Sequence, residues 1–290
     1  MYLHKKGFCL MAKEDYSEIL LEAKRLNRLK SSTGVAYPTG YVVFRWLVTI
    51  LSRFFIRAEL YRQGQIPQPG GVKYRPQWYM RNSRSKIDNH AFIIAANHGE
   101  VWDIPFIGMF HRGLVWVCKP AFCKNWLLAM VNQRMGAVPI FRPGVDDRVT
   151  TKNTVAVINQ TRQTAYTAEE GLEVALSAMR RGVPVVMFPE GTRAGKSIVD
   201  HSKSGTARLS RMSGKCILPI AMAGCSKGDP VVRRGVLRRK VIVGVVCSPI
   251  YPSNFEGLQD DKAINTAIMN EWQSRINVGR LLAIGILERL

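Results

Sequence analysis

Acidic residues are scarce. The 290-residue chain has 21 Asp+Glu against 42 Lys+Arg, a net charge of +21. Such a surplus predicts anionic partners: lipid head groups, phosphorylated substrates or nucleic acid. No Cys-x-x-Cys pair occurs among Cys9, Cys118, Cys123, Cys216, Cys225 and Cys247. That spacing argues against a zinc site, and the six are read as reduced, structural thiols in a cytosolic setting. A membrane-crossing helix needs about 20 mostly apolar residues. The longest hydrophobic stretch, residues 41–62, is broken by Arg45, Thr49, Ser52, Arg53 and Arg57. Residues 1–11 carry Lys5-Lys6 before an apolar stretch too short for a signal-peptide core, so no secretion signal is expected. Fixed-period repeats and low-complexity tracts are also lacking.

What is present begins with two helical patterns. Residues 14–30 are charged, with Ile19, Leu20, Leu26 and Leu29 at helical spacing, which predicts an amphipathic helix. Gly34, Pro38 and Gly40 interrupt it. On a helix over residues 41–57 the polar and basic interruptions share one side. Val42, Val43, Trp46, Leu47, Ile50, Leu51, Phe54 and Phe55 occupy the other. A wide apolar face beside a stripe that is basic rather than mixed in charge suits a helix lying in a membrane interface better than a helix packed on a core. Residues 64–90 hold Pro67, Pro69, Gly70, Gly71 and Pro76 and read as an irregular connector.

From residue 91 the pattern alternates. Apolar runs of strand length occupy residues 91–96, 114–118, 137–141, 183–188, 217–223 and 241–246. Helical segments are expected at 102–110, 124–134, 168–181, 204–213 and 260–276, with a separate short apolar segment at 281–290. This alternation predicts an α/β fold: a layered, largely parallel central sheet flanked by helices. The expected organisation is an N-terminal amphipathic, membrane-associating segment (1–63), a connector (64–90) and an α/β domain (91–290). Residues 144–167, polar and Thr-rich, read as an excursion.

Three places carry chemistry. Asn97-His98-Gly99 ends the first apolar run, and Asp103 follows a short turn later. A strand end is the usual seat of chemistry in an open α/β sheet. His98 and Asp103 there are either a general base with its orienting carboxylate or a turn with a satisfied hydrogen bond. Phe188-Pro189-Glu190-Gly191-Thr192-Arg193 ends another run. Its glycine permits close backbone approach, and its hydroxyl and guanidinium suit a phosphate. A surface turn with an ion pair fits as well. Gly136 to Arg142 places a second arginine at a strand end. Gly191 to Ser197 superficially imitates a P-loop, but only three residues separate its glycines where four are required. Nucleotide binding there is excluded.

Taken in order, Asn97-His98…Asp103, Gly136…Arg142, Phe188-Pro189-Glu190-Gly191-Thr192-Arg193 and Ile217-Leu218-Pro219-Ile220 resemble the blocks of the glycerolipid acyltransferase family. The pattern is closest to the bacterial 1-acyl-glycerol-3-phosphate acyltransferases of the PlsC type. Residues 91–223 carry the resemblance. Glu100 stands where the family often has Ser, and Phe141 stands where it has an acidic residue. The resemblance implies acyl transfer from acyl-CoA or acyl carrier protein to a glycerol hydroxyl of lysophosphatidate, giving phosphatidic acid, without metal or cofactor. It implies His98 as general base and Asp103 as its orienter, with Arg142, Glu190, Gly191, Thr192 and Arg193 holding the glycerophosphate. It also implies attachment to anionic membrane lipid at the cytoplasmic face of the cell membrane. Glycerol-3-phosphate, or another lysolipid such as a lyso-ornithine lipid, is the alternative acceptor. Arg233-Arg234 and Arg238-Arg239-Lys240 raise nucleic acid as a rival partner, but no nucleic-acid module accompanies them, and none is expected to bind.

Overall fold

The computed structural model describes residues 50, 54–63, 91–100, 102–110, 114–119, 136–143, 146, 165–180, 183–192, 198–258 and 260–290. The helices expected at 14–30 and 124–134, most of the 41–57 helix, the 64–90 connector, nearly all of 144–164 and Arg193 lie outside the described residues.

The strands are β1 (Ile56–Arg62), β2 (Ile93–Ala96), β3 (Val115–Cys118), β4 (Ala137–Pro139), β5 (Val185–Met187), β6 (Ile217–Ala223), β7 (Arg233–Arg234) and β8 (Arg239–Val246). The main helices are α1 (Asp103–Phe110), α2 (Ala168–Arg180), α3 (Gly205–Ser213) and α4 (Asp261–Arg289). One sheet runs β1-β8-β6-β2-β5-β3-β4, with β7 paired to β8. The pairs among β6, β2, β5, β3 and β4 are parallel, as is β1 with β8. Only β6–β8 and β7–β8 are antiparallel. The expected largely parallel sheet is therefore present.

Its strands read as continuous apolar runs because both faces are covered. Alternate residues separate cleanly. Ile93, Ala95, Val185, Met187 and Ala221 join the core under α2, α3 and α4. Ile94, Ala96, Val186, Ile220 and Met222 join the opposite core with Phe106 and Ile107 of α1. The helices start where local chemistry directs them. A capping box opens α2: the Glu170 N–H donates to Thr167 Oγ1 (3.2 Å) and the Thr167 N–H to Glu170 Oε2 (2.8 Å). Asp260 caps α4 by accepting the Ala263 N–H.

Two expectations are corrected. Residues 56–62 are a strand and not the end of a helix, so the sheet begins well before the expected boundary at residue 91. Ile56 and Leu60 enter one core and Tyr61 another. Glu59 is buried because it accepts from Tyr61 Oη (2.6 Å) and Arg57 Nε (2.9 Å) within the same strand. Arg57 falls in step with Arg45, Thr49 and Arg53 and so joins a helical stripe in the sequence. Secondly, the segments 260–276 and 281–290 are one helix. Gly279 and Arg280 interrupt its apolar pattern, yet both are buried. A Cβ on Gly279 would lie 2.6 Å from Cys247 Sγ and 2.7 Å from Ala221 Cβ, so glycine lets α4 approach the sheet.

Arg280 is the largest charged group inside. Its Nη2 donates to Asp229 Oδ1 (2.7 Å), and its Nη1 to Met222 O (2.8 Å) and Ser226 Oγ (3.2 Å). Asp229 Oδ2 in turn accepts the N–H groups of Gly224, Cys225 and Ser226. This folds the chain after β6 into a tight loop. Replacing Arg280 by Met leaves a buried carboxylate without its cation, a loss of about 3–5 kcal/mol. Denaturant unfolding of Arg280→Met against the parent measures it, and a loss below about 1 kcal/mol contradicts this role of the pair.

Candidate active site

The parallel strands bring the chemistry-bearing residues to one edge. His98 follows β2, Lys119 follows β3, Arg142 follows β4, and residues 188–191 follow β5. The Asn97 side chain ties the end of β2 to the end of β6. Its Oδ1 accepts the Met222 N–H (2.6 Å), and its Nδ2 donates to Met222 O (3.1 Å).

His98 and Asp103 are brought together as the spacing suggests. His98 Nδ1 lies 2.7 Å from Asp103 Oδ2. The same oxygen accepts the Gly99 N–H (2.7 Å) and the Glu100 N–H (3.0 Å). Asp103 opens α1 and is fully buried. An ionised carboxylate only accepts, so Nδ1 carries the proton, and in the neutral imidazole Nε2 keeps its lone pair. That is the tautomer a general base requires. The imidazole stacks on Phe188, with centroids 4.3 Å apart and planes at 26°. Cys225 also interacts with Asp103. Burial, and then the negative charge of Asp103, push the Cys225 thiol well above its ordinary pKa. It is protonated and offers no thiolate nucleophile.

Gly99 holds this turn against its neighbour. A Cβ there would sit 2.7 Å from the Cys225 carbonyl and 2.8 Å from Ser226 N. Glu100 pairs with Lys240 at 2.7 Å. The sequence offered no role for Glu100; its partner is 140 residues away.

The four other expected site residues within the described region divide. Glu190 is buried and Oε1 accepts the His98 N–H at 2.8 Å. Its carboxylate faces the backbone of the His98 turn and does not line the cavity described below. Gly191 has φ +68° and does line it. Thr192 is half-buried and lies off the cavity wall. Arg142 lines the cavity. It is held by Asp146 through Nε (3.0 Å) and Nη2 (2.9 Å), and its Nη1 donates to Gly191 O (2.5 Å).

A cavity of about 390 Å³ opens beside His98. Ile104, Trp116, Ile140, Leu172, Met187 and Phe188 give it apolar walls. Lys119, Arg142, Lys203 and Arg208 give it positive charge. Lys203 flanks Gly191, where a Cβ would meet its side chain at 3.0–3.3 Å. Lys119, Lys203 and Arg208 escaped the sequence reading because isolated basic residues are common in so basic a chain.

Burial pushes the Glu190 carboxyl up from 4.5 to about 7; the His98 N–H and the Arg280 charge oppose that rise. With the folded value above the unfolded one, the folded state holds the proton longer as pH rises. This contribution to stability is complete below about pH 4.5 and is lost as pH climbs through about 7. The loss is on the order of 3 kcal/mol. Unfolding free energies of the parent and Glu190→Gln across that window measure it. The parent is expected to lose stability relative to the variant as pH rises, and parallel curves contradict the assignment.

A family model described as Acyltransferase matches residues 72–223. The chain is 25% identical over 169 residues to 1-acyl-sn-glycerol-3-phosphate acyltransferase BAT2, chloroplastic, of Brassica napus, covering 58% of this chain and 43% of that protein. It is 24% identical over 166 residues to 1-acyl-sn-glycerol-3-phosphate acyltransferase LPAT1, chloroplastic, of Arabidopsis thaliana, covering 57% and 41%. The chain therefore spans about two fifths of the length of these curated relatives. The crystal structure of the 1-acyl-sn-glycerophosphate (LPA) acyltransferase PlsC from Thermotoga maritima superposes with a TM-score of 0.49 at 15% identity, covering 91% of this chain and 88% of that one. The matched residues take in the His98–Asp103 pair, Arg142, the turn after β5 and all of β6, and the chain belongs to the acyltransferase family.

Proposed function

We propose that this chain transfers a fatty acyl group from an acyl thioester, acyl-CoA or acyl carrier protein, to the free hydroxyl of 1-acyl-sn-glycerol-3-phosphate. The observation that carries the reading is the His98–Asp103 pair beside an apolar cavity with a basic wall. The names of both plant relatives, 1-acyl-sn-glycerol-3-phosphate acyltransferases, support this choice of acceptor.

In this reading His98 Nε2 takes the proton of the acceptor hydroxyl. The oxygen attacks the thioester carbonyl, and a tetrahedral intermediate forms. It collapses with cleavage of the C–S bond, and the leaving thiolate recovers the proton from the imidazolium. Asp103 steadies that imidazolium and fixes the ring tautomer. The hydroxyl attacks directly, so no acyl-enzyme is formed.

Arg142, Lys203 and the 191–193 turn hold the acceptor's phosphate, while the apolar wall takes hydrocarbon. Arg193 is placed here by the family motif alone. Glu190 serves His98 by fixing its backbone. A carboxylate would repel the phosphate, which favours this role over direct binding.

Purified protein with a labelled acyl thioester is to be offered 1-acyl-sn-glycerol-3-phosphate, glycerol-3-phosphate, lyso-ornithine lipid and other lysolipids. Phosphatidic acid as the main product is the expected result; preferred acylation of another acceptor redirects the reading to it. His98→Ala should cut turnover by about a thousandfold with the melting temperature unchanged. Asp103→Asn should do so by up to about ten-thousandfold, through the wrong tautomer. Substantial turnover in His98→Ala rules out the base assignment.

A further inference from the structure

The basic clusters at 233–240 are not used by the acyl-transfer site. They form a β-hairpin with an unusual tip. Arg233 pairs with Lys240 and Arg234 with Arg239. The turn closes by an Arg238 N–H to Gly235 O bond at 2.9 Å. Gly235 has φ +78° and Arg238 φ +44°, so the turn is a defined conformation and not a loose excursion. Its summit is Val236-Leu237. Both are exposed, Val236 completely, and Val231 at the hairpin's base is exposed too. Arg233, Arg234 and Arg238 surround them and are also exposed. No acidic residue occurs between Asp229 and Glu256.

The sheet register puts this tip in a particular place. Lys240 lies between Arg233 of β7 and Ile56 of β1. The residues just before β1, Phe54 and Phe55, are both more than half exposed. They therefore stand at the same sheet end as the hairpin. Phe55 meets Trp102 of the His98 turn, with centroids 5.7 Å apart and planes at 31°. Lys240 pairs with Glu100 of that same turn. Exposed aliphatic and aromatic side chains, ringed by cations, thus share one end of the molecule with His98.

We propose that the 231–240 hairpin is a membrane-docking element: Val236 and Leu237 enter the acyl boundary of an anionic bilayer, and Arg233, Arg234 and Arg238 bind its lipid phosphates. Water gains nothing from an isolated apolar pair held on a rigid turn, whereas a bilayer interface solvates apolar tip and guanidinium together. A cation near an anionic leaflet contributes favourably, and several do so additively. Nucleic acid would satisfy the arginines but would leave Val236 and Leu237 in water. Phe54 and Phe55 extend the same face toward the segment expected to lie in the interface. The inference goes beyond the acyl-transfer reading and is tested without substrate, so either can fail alone.

The test uses the full chain with vesicles of mixed phosphatidylglycerol and phosphatidylcholine, and with phosphatidylcholine alone. Sedimentation should show preferential binding to the mixed vesicles. Val236→Asp with Leu237→Asp, and separately Arg233→Glu with Arg234→Glu, should each weaken that binding about tenfold at an unchanged melting temperature. Because other parts of the chain can also bind lipid, a second readout concerns position alone. The extra emission of Leu237→Trp over the parent should be quenched by brominated phosphatidylcholine in the mixed vesicles. Absence of that quenching overturns the proposal. So does a parent chain that binds duplex DNA more tightly than mixed vesicles and loses DNA affinity, but not vesicle affinity, in the arginine variant.

Discussion

One oxygen organises the reactive edge of this protein. Asp103 Oδ2 accepts from His98 Nδ1 and from the N–H groups of Gly99 and Glu100. It thus fixes the imidazole and the backbone that carries it in a single stroke. A carboxylate taken from water needs several donors to offset its lost hydration, and these three supply them. Ring and turn therefore have little freedom to move separately. A neutral ring that donates from Nδ1 to this oxygen leaves its far nitrogen as the acceptor, and the proposed proton transfer requires that tautomer.

The turn is braced from behind by a second carboxylate. Asp229 collects the N–H groups of residues 224–226, and Gly99 packs directly on that loop. Arg280 of α4 neutralises Asp229 and also reaches Met222 O, which the Asn97 side chain shares. The chain of contacts runs from α4 through the loop after β6 to His98. A buried pair of this kind adds little net stability but exacts a large cost when broken, so it specifies geometry more than it stabilises. Glu190 completes the enclosure from β5. Its carboxyl titrates near neutrality because burial outweighs the hydrogen bond it accepts from His98.

Much of the architecture was legible in the sequence where one rule acted alone. β2, β6 and β8 read as apolar runs because both faces of the sheet are covered. α2 read as a helix because Leu172, Val174, Ala175, Leu176 and Met179 recur at helical spacing before Gly182. The misreadings occur where a buried polar group broke the pattern. Arg57 disguised the start of β1 as the end of a helical stripe, since its partner Glu59 is recognisable only in the folded strand. Gly279 and Arg280 split α4 in two, since their fitness depends on Cys247, Ala221 and Asp229. His98 and Asp103 were legible because they are five residues apart. Asn97 and Arg280 carried no comparable signal: the partners of their side chains lie 125 and 51 residues away. Local spacing records a turn, but it does not record what folding brings against that turn.

Charge completes the argument about direction. The excess of cations could have been spread evenly as a solubilising coat. Among the described residues part of it is placed: Lys119, Lys203 and Arg208 line the cavity beside Arg142, and Arg233, Arg234 and Arg238 stand on the hairpin. Lys240, at the hairpin's foot, is paired with Glu100 of the His98 turn, so hairpin and reactive turn are held in register. An acceptor with one hydrocarbon tail is poorly soluble, and its phosphate lies at the surface of the bilayer that holds the tail. A site proposed to receive such a molecule gains from facing that surface at a fixed height. In the docking proposed for the hairpin, a turn of defined conformation joined by an ion pair to the turn that carries His98 would supply such a fixed height.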